Sequence, residues 1–136
     1  MVHIHARYLG DLRCEATHGP SGSRIETDAP ADNHGRAERF SPTDLVAAAL
    51  ATCMMTVVGI LANERGWDLR GMTAEIEKEM VGPPRRIGRL RVTVHMPIAL
   101  APADRQAVET LAHACPVAHS LHPGIETVIR FNWPGA

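Results

Sequence analysis

The longest uninterrupted apolar pattern in the chain runs from Leu45 to Ala62, eighteen residues without a charge. Ser41 precedes Pro42, and Asp44 follows the serine by three positions. That spacing predicts an N-cap, a proline in the first helical position and a short capping box. Gly66 follows Arg65 and supplies a C-cap beyond a cationic last turn. The pattern therefore predicts one long helix, apolar on every side, that has to be enclosed. Eighteen apolar residues is also the lower edge of a membrane span. The alanines at 47, 48, 49, 51 and 62 and the hydroxyls of Thr52 and Thr56 favour a protein interior.

Ahead of this helix the period is two. Val2, Ile4, Ala6 and Tyr8 alternate with His3, His5 and Arg7, and beyond Gly10 and Asp11 the alternation resumes with Leu12, Cys14 and Ala16. This predicts a hairpin with Cys14 on its buried face. Gly19 to Gly22 marks the next turn and Arg24 to Thr27 a short third strand, after which Asp28 to Arg39 reads as a polar loop placed over a site. Beyond Gly66, Met72, Ala74, Ile76 and Met80 alternate with Thr73, Glu75, Glu77 and Glu79. After Gly82, Pro83 and Pro84, Leu90, Val92, Val94 and Met96 alternate with Arg89, Arg91, Thr93 and His95. Paired as a hairpin, the two strands set glutamates against arginines on a solvated face.

Pro102 opens a second helix carrying Val108, Leu111, Ala112 and Cys115 at helical spacing, with Asp104, Arg105 and Glu109 outside. Pro116 interrupts it and starts a new turn over Val117 to Leu121, which places Cys115 near an N-cap. Pro123 and Gly124 end that turn, and Ile125, Thr127, Ile129 and Phe131 alternate into a final strand. With neither repeats nor an interior linker, the order predicts one α+β domain over residues 1–136 with largely antiparallel sheet.

A chain of 136 residues buries roughly two-thirds of its unfolded surface and needs no disulfide or metal to fold. Fourteen Lys and Arg against fifteen Asp and Glu, without a basic block, exclude nucleic acid as the expected partner. The first residues carry no apolar h-region, so the expected location is the cytoplasm, with no membrane partner. There Cys14, Cys53 and Cys115 stay reduced unless they do redox work. An odd count without a C-x-x-C pair argues against a disulfide framework and a zinc ribbon.

Two of these thiols invite opposite expectations. Cys115, at the start of a short helix, has backbone N–H groups to stabilise a thiolate. Cys53 lies in apolar surroundings, which disfavour the thiolate, and is inert unless a cation reaches it. The plain reading of a lone cysteine in such a helix is a small core residue.

Taken together, the Ser-Pro-Thr-Asp-Leu-Val-Ala-Ala-Ala-Leu-Ala-Thr-Cys helix ending at Cys53 and the Cys-Pro-Val-Ala-His-Ser-Leu segment from Cys115, about sixty residues later, resemble the OsmC/Ohr family, named for osmotically inducible protein C and organic hydroperoxide resistance protein. The likeness covers nearly the whole chain. It implies an OsmC-like α+β fold in which strongly bent sheets wrap long central helices in an intertwined homodimer, with active sites at the interface. By matching motif positions, Cys53 would be the peroxidatic thiolate that reduces a hydroperoxide to the alcohol and becomes a sulfenic acid. Cys115 would resolve it as a Cys53–Cys115 disulfide, and an external dithiol, in some relatives a lipoyl protein, would reduce that again. No bound cofactor is implied. Relatives also bring an arginine to the first cysteine, oriented by a glutamate ten residues ahead of it. Here that position holds Thr43. Asp44, nine residues from Cys53, lies half a turn away and is at least as well explained as a capping acid. Arg39 is the preferred arginine, with Arg36 as the alternative and Glu38 as a substitute carboxylate.

Two other classes compete. Cys115, His119 and His122 stand at i, i+4 and i+7 and could offer a sulfur and two imidazoles to zinc, with His113 nearby. A non-catalytic binder of small apolar ligands would use a pocket beside Met54 and Met55.

Overall fold

The computed structural model describes residues 1–135 and divides into two compact units, Met1–Val46 and Ala47–Ala136. Its architecture is α+β, with two three-stranded sheets.

In the amino-terminal unit β1 (Ile4–Gly10), β2 (Arg13–His18) and β3 (Arg24–Asp28) form an antiparallel sheet in that order. Asp11 and Leu12, both at positive φ, make the first turn a tight one whose twist matches the strands it joins. The sequence predicts a buried face for this hairpin, and here the structure departs from it. Every residue of β1 except Gly10 is exposed, Ile4 at 67% and Tyr8 at 65%, and Cys14 is only half-buried. The apolar positions of the alternation are present, yet this chain does not cover them.

The polar segment after β3 is held by its backbone rather than by a core. Ala31–Asn33 make one 3₁₀ turn, and Gly35 passes so close to Ala29 that an added Cβ would lie 1.8 Å from its carbonyl oxygen. Only glycine fits there. Phe40 then returns to bridge Thr27. The helix α1 (Pro42–Arg65) starts where the motif predicts. The Ser41 N–H donates to Asp44 Oδ2 at 2.9 Å and the Asp44 N–H donates to Ser41 Oγ at 3.1 Å, a reciprocal capping box. At the other end Gly66 takes φ +73° and the Trp67 N–H donates to the Ala62 carbonyl.

In the second unit α1 buries one stripe: Leu50, Ala51, Met54, Val58 and Ala62. Thr52, Thr56 and Ile60 repeat every fourth residue on an exposed stripe, Ile60 at 55%. The expectation of a helix enclosed on all sides therefore fails within this chain, because its single sheet and two short helices bury only one flank. By length and composition α1 would suffice to cross a membrane, with 33% of its apolar window buried.

The second sheet has the order β4 (Thr73–Val81), β5 (Arg86–His95), β6 (Glu126–Asn132). β4 and β5 are antiparallel, while β6 joins β5 in parallel because α2 (Pro102–His113) and α3 (Pro116–Ser120) carry the chain back over that crossover. On the central strand Leu90, Val92 and Val94 are buried, as are Val108 and Ala112 of α2. On the opposite face the predicted charge match is present: Glu77 lies opposite Arg91 and Glu79 opposite Arg89, and each pair forms an ion pair. Arg89 also reaches Glu126 of β6 at 2.9 Å. The last strand starts at Glu126, one residue later than the alternation suggests.

Candidate functional site

Both cysteines of the two motifs lie in the second unit, and the local sequence explains how each is held. Cys53 sits on the third turn of α1, directly before the buried Met54, which places it at the edge of the buried stripe, half-buried rather than sealed. Cys115 is set between two helices. Its neighbour Pro116 excludes helical backbone at Cys115 and starts α3, so Cys115 takes the extended conformation, φ −68° and ψ 153°, of an N-cap. Its Sγ accepts the Ala118 N–H at 3.4 Å, and the residue is 0% exposed.

Cys53 is the neighbouring side chain that acts on Cys115, and both are free thiols. The expectation of an acidic Cys115 is not met. Burial pushes its thiol above the ordinary value of 9.0, the contact with Cys53 pushes it further the same way, and the amides of Ala118 and Val117 pull it back only in part. The amides at the start of α3 do act on this sulfur, and the loss of water around it outweighs them.

The arginines considered for the site belong to the amino-terminal unit. The Arg39 Nε donates to Glu26 Oε2 at 3.2 Å and an Arg39 η-nitrogen donates to the Glu38 carbonyl at 2.8 Å, with the side chain about half exposed. Arg36 is 80% exposed and stands 3.9 Å from Glu38. Asp44 serves as the acid of the capping box, and the Thr43 hydroxyl lies 3.2 Å from Ser41 Oγ. A third arginine, Arg13, was not among those the sequence suggested. Arg13 contacts Glu38 at 2.9 Å and Asp28 at 3.9 Å, and Asp28, 1% exposed, also accepts the Glu38 N–H. The signal was available in the register, since Asp28 ends β3 opposite Arg13 of β2.

The metal reading loses its geometry. α3 ends at Ser120, Leu121 is extended, and His122 lies beyond the helix with Nδ1 accepting the Gly124 N–H at 2.8 Å. Cys115, His119 and His122 therefore share no helical face, and among the described residues no three His, Cys, Asp or Glu side chains are placed to hold one ion. The ligand-binding reading changes its place as well. Met54 is buried, and an open hollow of about 550 Å³ lies further along α1, lined by Thr56, Gly59, Ile60, Asn63, Trp67 and Met72 among others.

Comparison with known proteins places this arrangement. Residues 34–130 match the family model described as OsmC-like protein. A solved structure from Psychrobacter arcticus 273-4, named for osmotic stress induction and a detoxification response, is 40% identical and superposes with a TM-score of 0.93, covering 97% of this chain and 96% of that one. An organic hydroperoxide resistance protein OsmC from Legionella pneumophila is 16% identical with a TM-score of 0.76, covering 97% and 96%. The organic hydroperoxide resistance protein OhrB of Bacillus subtilis is 18% identical with a TM-score of 0.68, covering 97% and 98%, and these two likenesses carry the fold alone. No curated protein matches the chain. On the extent of the family match and the similarity to the Psychrobacter protein, the chain belongs to the OsmC-like family.

Proposed function

We propose that this protein is a thiol-dependent peroxidase that reduces organic hydroperoxides to alcohols. The observation that carries the reading is the pair of neighbouring free thiols with unequal exposure, Cys53 half-buried and Cys115 sealed. A peroxide can approach the first and not the second, which divides their roles. The Cys53 thiolate attacks one peroxide oxygen, an S–O bond forms, the O–O bond breaks, and the alkoxide takes a proton from water to leave as the alcohol. The Cys115 sulfur then displaces hydroxide from the sulfenic acid, and an external dithiol reduces the disulfide by exchange.

Several further expectations belong to the same reading. The protein works in the cytoplasm as a homodimer, and the second copy covers the exposed stripe of α1 and the exposed apolar residues of β1. Arg39 is the arginine that approaches Cys53. Along α1 Cys53 is flanked in sequence by alanine, methionine and valine, and in this reading an alkyl group gains by leaving water where hydrogen peroxide gains nothing, at roughly 0.8 kcal/mol per buried methylene. Turnover of cumene hydroperoxide should exceed that of hydrogen peroxide by more than tenfold, and Cys53→Ser should abolish both. A Cys53→Ser protein that still turns over peroxide removes Cys53 from the reaction. Equal rates for the two oxidants reject the apolar site.

A further inference from the structure

The short helix α3 is held closed by few interactions, and Cys115 supplies two of them. None of its five residues is buried, and prolines at 116 and 123 bound it in the sequence. A helix of this length is marginal by itself, so its ends decide whether it stays wound. At the amino end Cys115 contributes two acceptors to the first turn: its Sγ takes the Ala118 N–H at 3.4 Å, and its carbonyl takes the His119 N–H at 3.1 Å. The Ser120 hydroxyl adds a bond to the Pro116 carbonyl at 2.8 Å. Of these only the first passes through an atom that thiol chemistry alters. Cys115 is 0% exposed, so while α3 is wound no external thiol reaches its sulfur.

Resting on the peroxidase reading above, we infer that α3 is a redox latch: the free Cys115 thiol caps it closed, and entry of that sulfur into the Cys53–Cys115 disulfide removes the cap and lets the turn open to the reductant. A cysteine aims its sulfur with one torsion, so the geometry a disulfide imposes replaces the rotamer that meets the Ala118 amide. The oxidised chain is left with a five-residue helix that has lost its side-chain cap. Val117 and Ala118, half-buried in the closed turn, come away from the sulfur. A thiolate of the external dithiol then attacks the uncovered Cys115 sulfur, a new S–S bond forms, and Cys53 leaves as a thiolate that takes a proton. The second sulfur of the dithiol closes its own disulfide and releases Cys115, which takes the other proton and caps α3 again. Both hydrogens lost by the dithiol are recovered on the two cysteines.

Amide hydrogen exchange at Ala118 and His119, followed by NMR in the whole protein, reads the latch without reading activity. Reduced wild type should protect both amides. After stoichiometric cumene hydroperoxide, with the disulfide verified by mass, both should exchange about five- to tenfold faster, the size expected from losing an N-cap. Reduced Cys115→Ala lacks the cap and should exchange as fast as the oxidised protein, while Cys115→Ser keeps an oxygen acceptor and should stay within about twofold of reduced wild type. Unchanged exchange in oxidised wild type overturns the inference, as does Cys115→Ala protected like wild type or Cys115→Ser as open as the Ala variant. Should the Ala variant fail to fold, reduced against oxidised wild type decides alone. Wild type that forms no Cys53–Cys115 disulfide sinks the peroxidase reading and the redox trigger with it, whereas the Ala and Ser variants still decide whether Cys115 caps α3.

Discussion

The capping box at the head of α1 offers a quantitative check on how this helix is anchored. Ser41→Ala deletes the hydroxyl that accepts the Asp44 N–H at 3.1 Å, and Asp44→Ala deletes the carboxylate that accepts the Ser41 N–H at 2.9 Å. N-cap losses span about 0.5–2 kcal/mol. Ser41 is only 1% exposed, so water cannot readily take the place of its hydroxyl, and its loss belongs in the upper half of that range, about 1.5 kcal/mol. Asp44 is less covered and should cost about 1 kcal/mol, while Asp44→Asn, which keeps an acceptor, should cost a few tenths. In thermal unfolding followed by circular dichroism these values correspond to melting shifts of about 5 °C, about 3 °C and about 1 °C. Because the two hydrogen bonds close one ring, the double variant should depart from additivity by about 0.5 kcal/mol. A Ser41→Ala protein that melts with wild type would refute the reasoning. Activity per folded molecule should be unchanged in Asp44→Ala, and its loss in a fully folded variant would make Asp44 part of the chemistry instead of a cap.

Two further predictions concern the core and the buried thiol. Leu90→Ala, at a position 0% exposed on the central strand β5, should destabilise by about 2–5 kcal/mol in urea unfolding, and a cost under about 1 kcal/mol would mean that the site collapses or is less well packed than the structure indicates. Cys115 has a raised folded pKa, so the folded state keeps a proton that the unfolded chain releases near 9.0. Its stabilising effect is complete below that pH and is lost as pH rises through the higher folded value. Wild type should therefore lose stability more steeply than Cys115→Ser as the pH rises above 9.0, and parallel curves would show that the thiol is not held protonated by the fold.

The elements of this fold were legible because their signals are local. The Ser41, Pro42 and Asp44 spacing, the glycine at 66, the proline at 116 and the alternation of Leu90, Val92 and Val94 each act within a few residues, and most elements lie within a residue or two of their expected place, while β5 starts three residues earlier than its alternation, at Arg86. The charge match between Glu77 and Arg91 was equally readable once the two strands were taken as a hairpin. What escaped depends on neighbours distant in sequence. Burial of Cys115 overrode the amides that a short helix offers it, and Asp28, written into a polar loop by composition, became a buried carboxylate because Arg13 stands opposite in the sheet. The exposed stripe of α1 and the uncovered faces of β1 escaped for a third reason: alternation and helical periodicity tell which residues seek cover, and they do not say which surface supplies it.

The central claim is that Cys53 and Cys115 form one redox pair. The most direct measurement is mass mapping of the protein after stoichiometric cumene hydroperoxide, with free thiols blocked before digestion. The account predicts a Cys53–Cys115 disulfide within each chain and an unmodified Cys14. A bridge that includes Cys14, or a Cys53 that accumulates as sulfinic acid while Cys115 stays free, would contradict it.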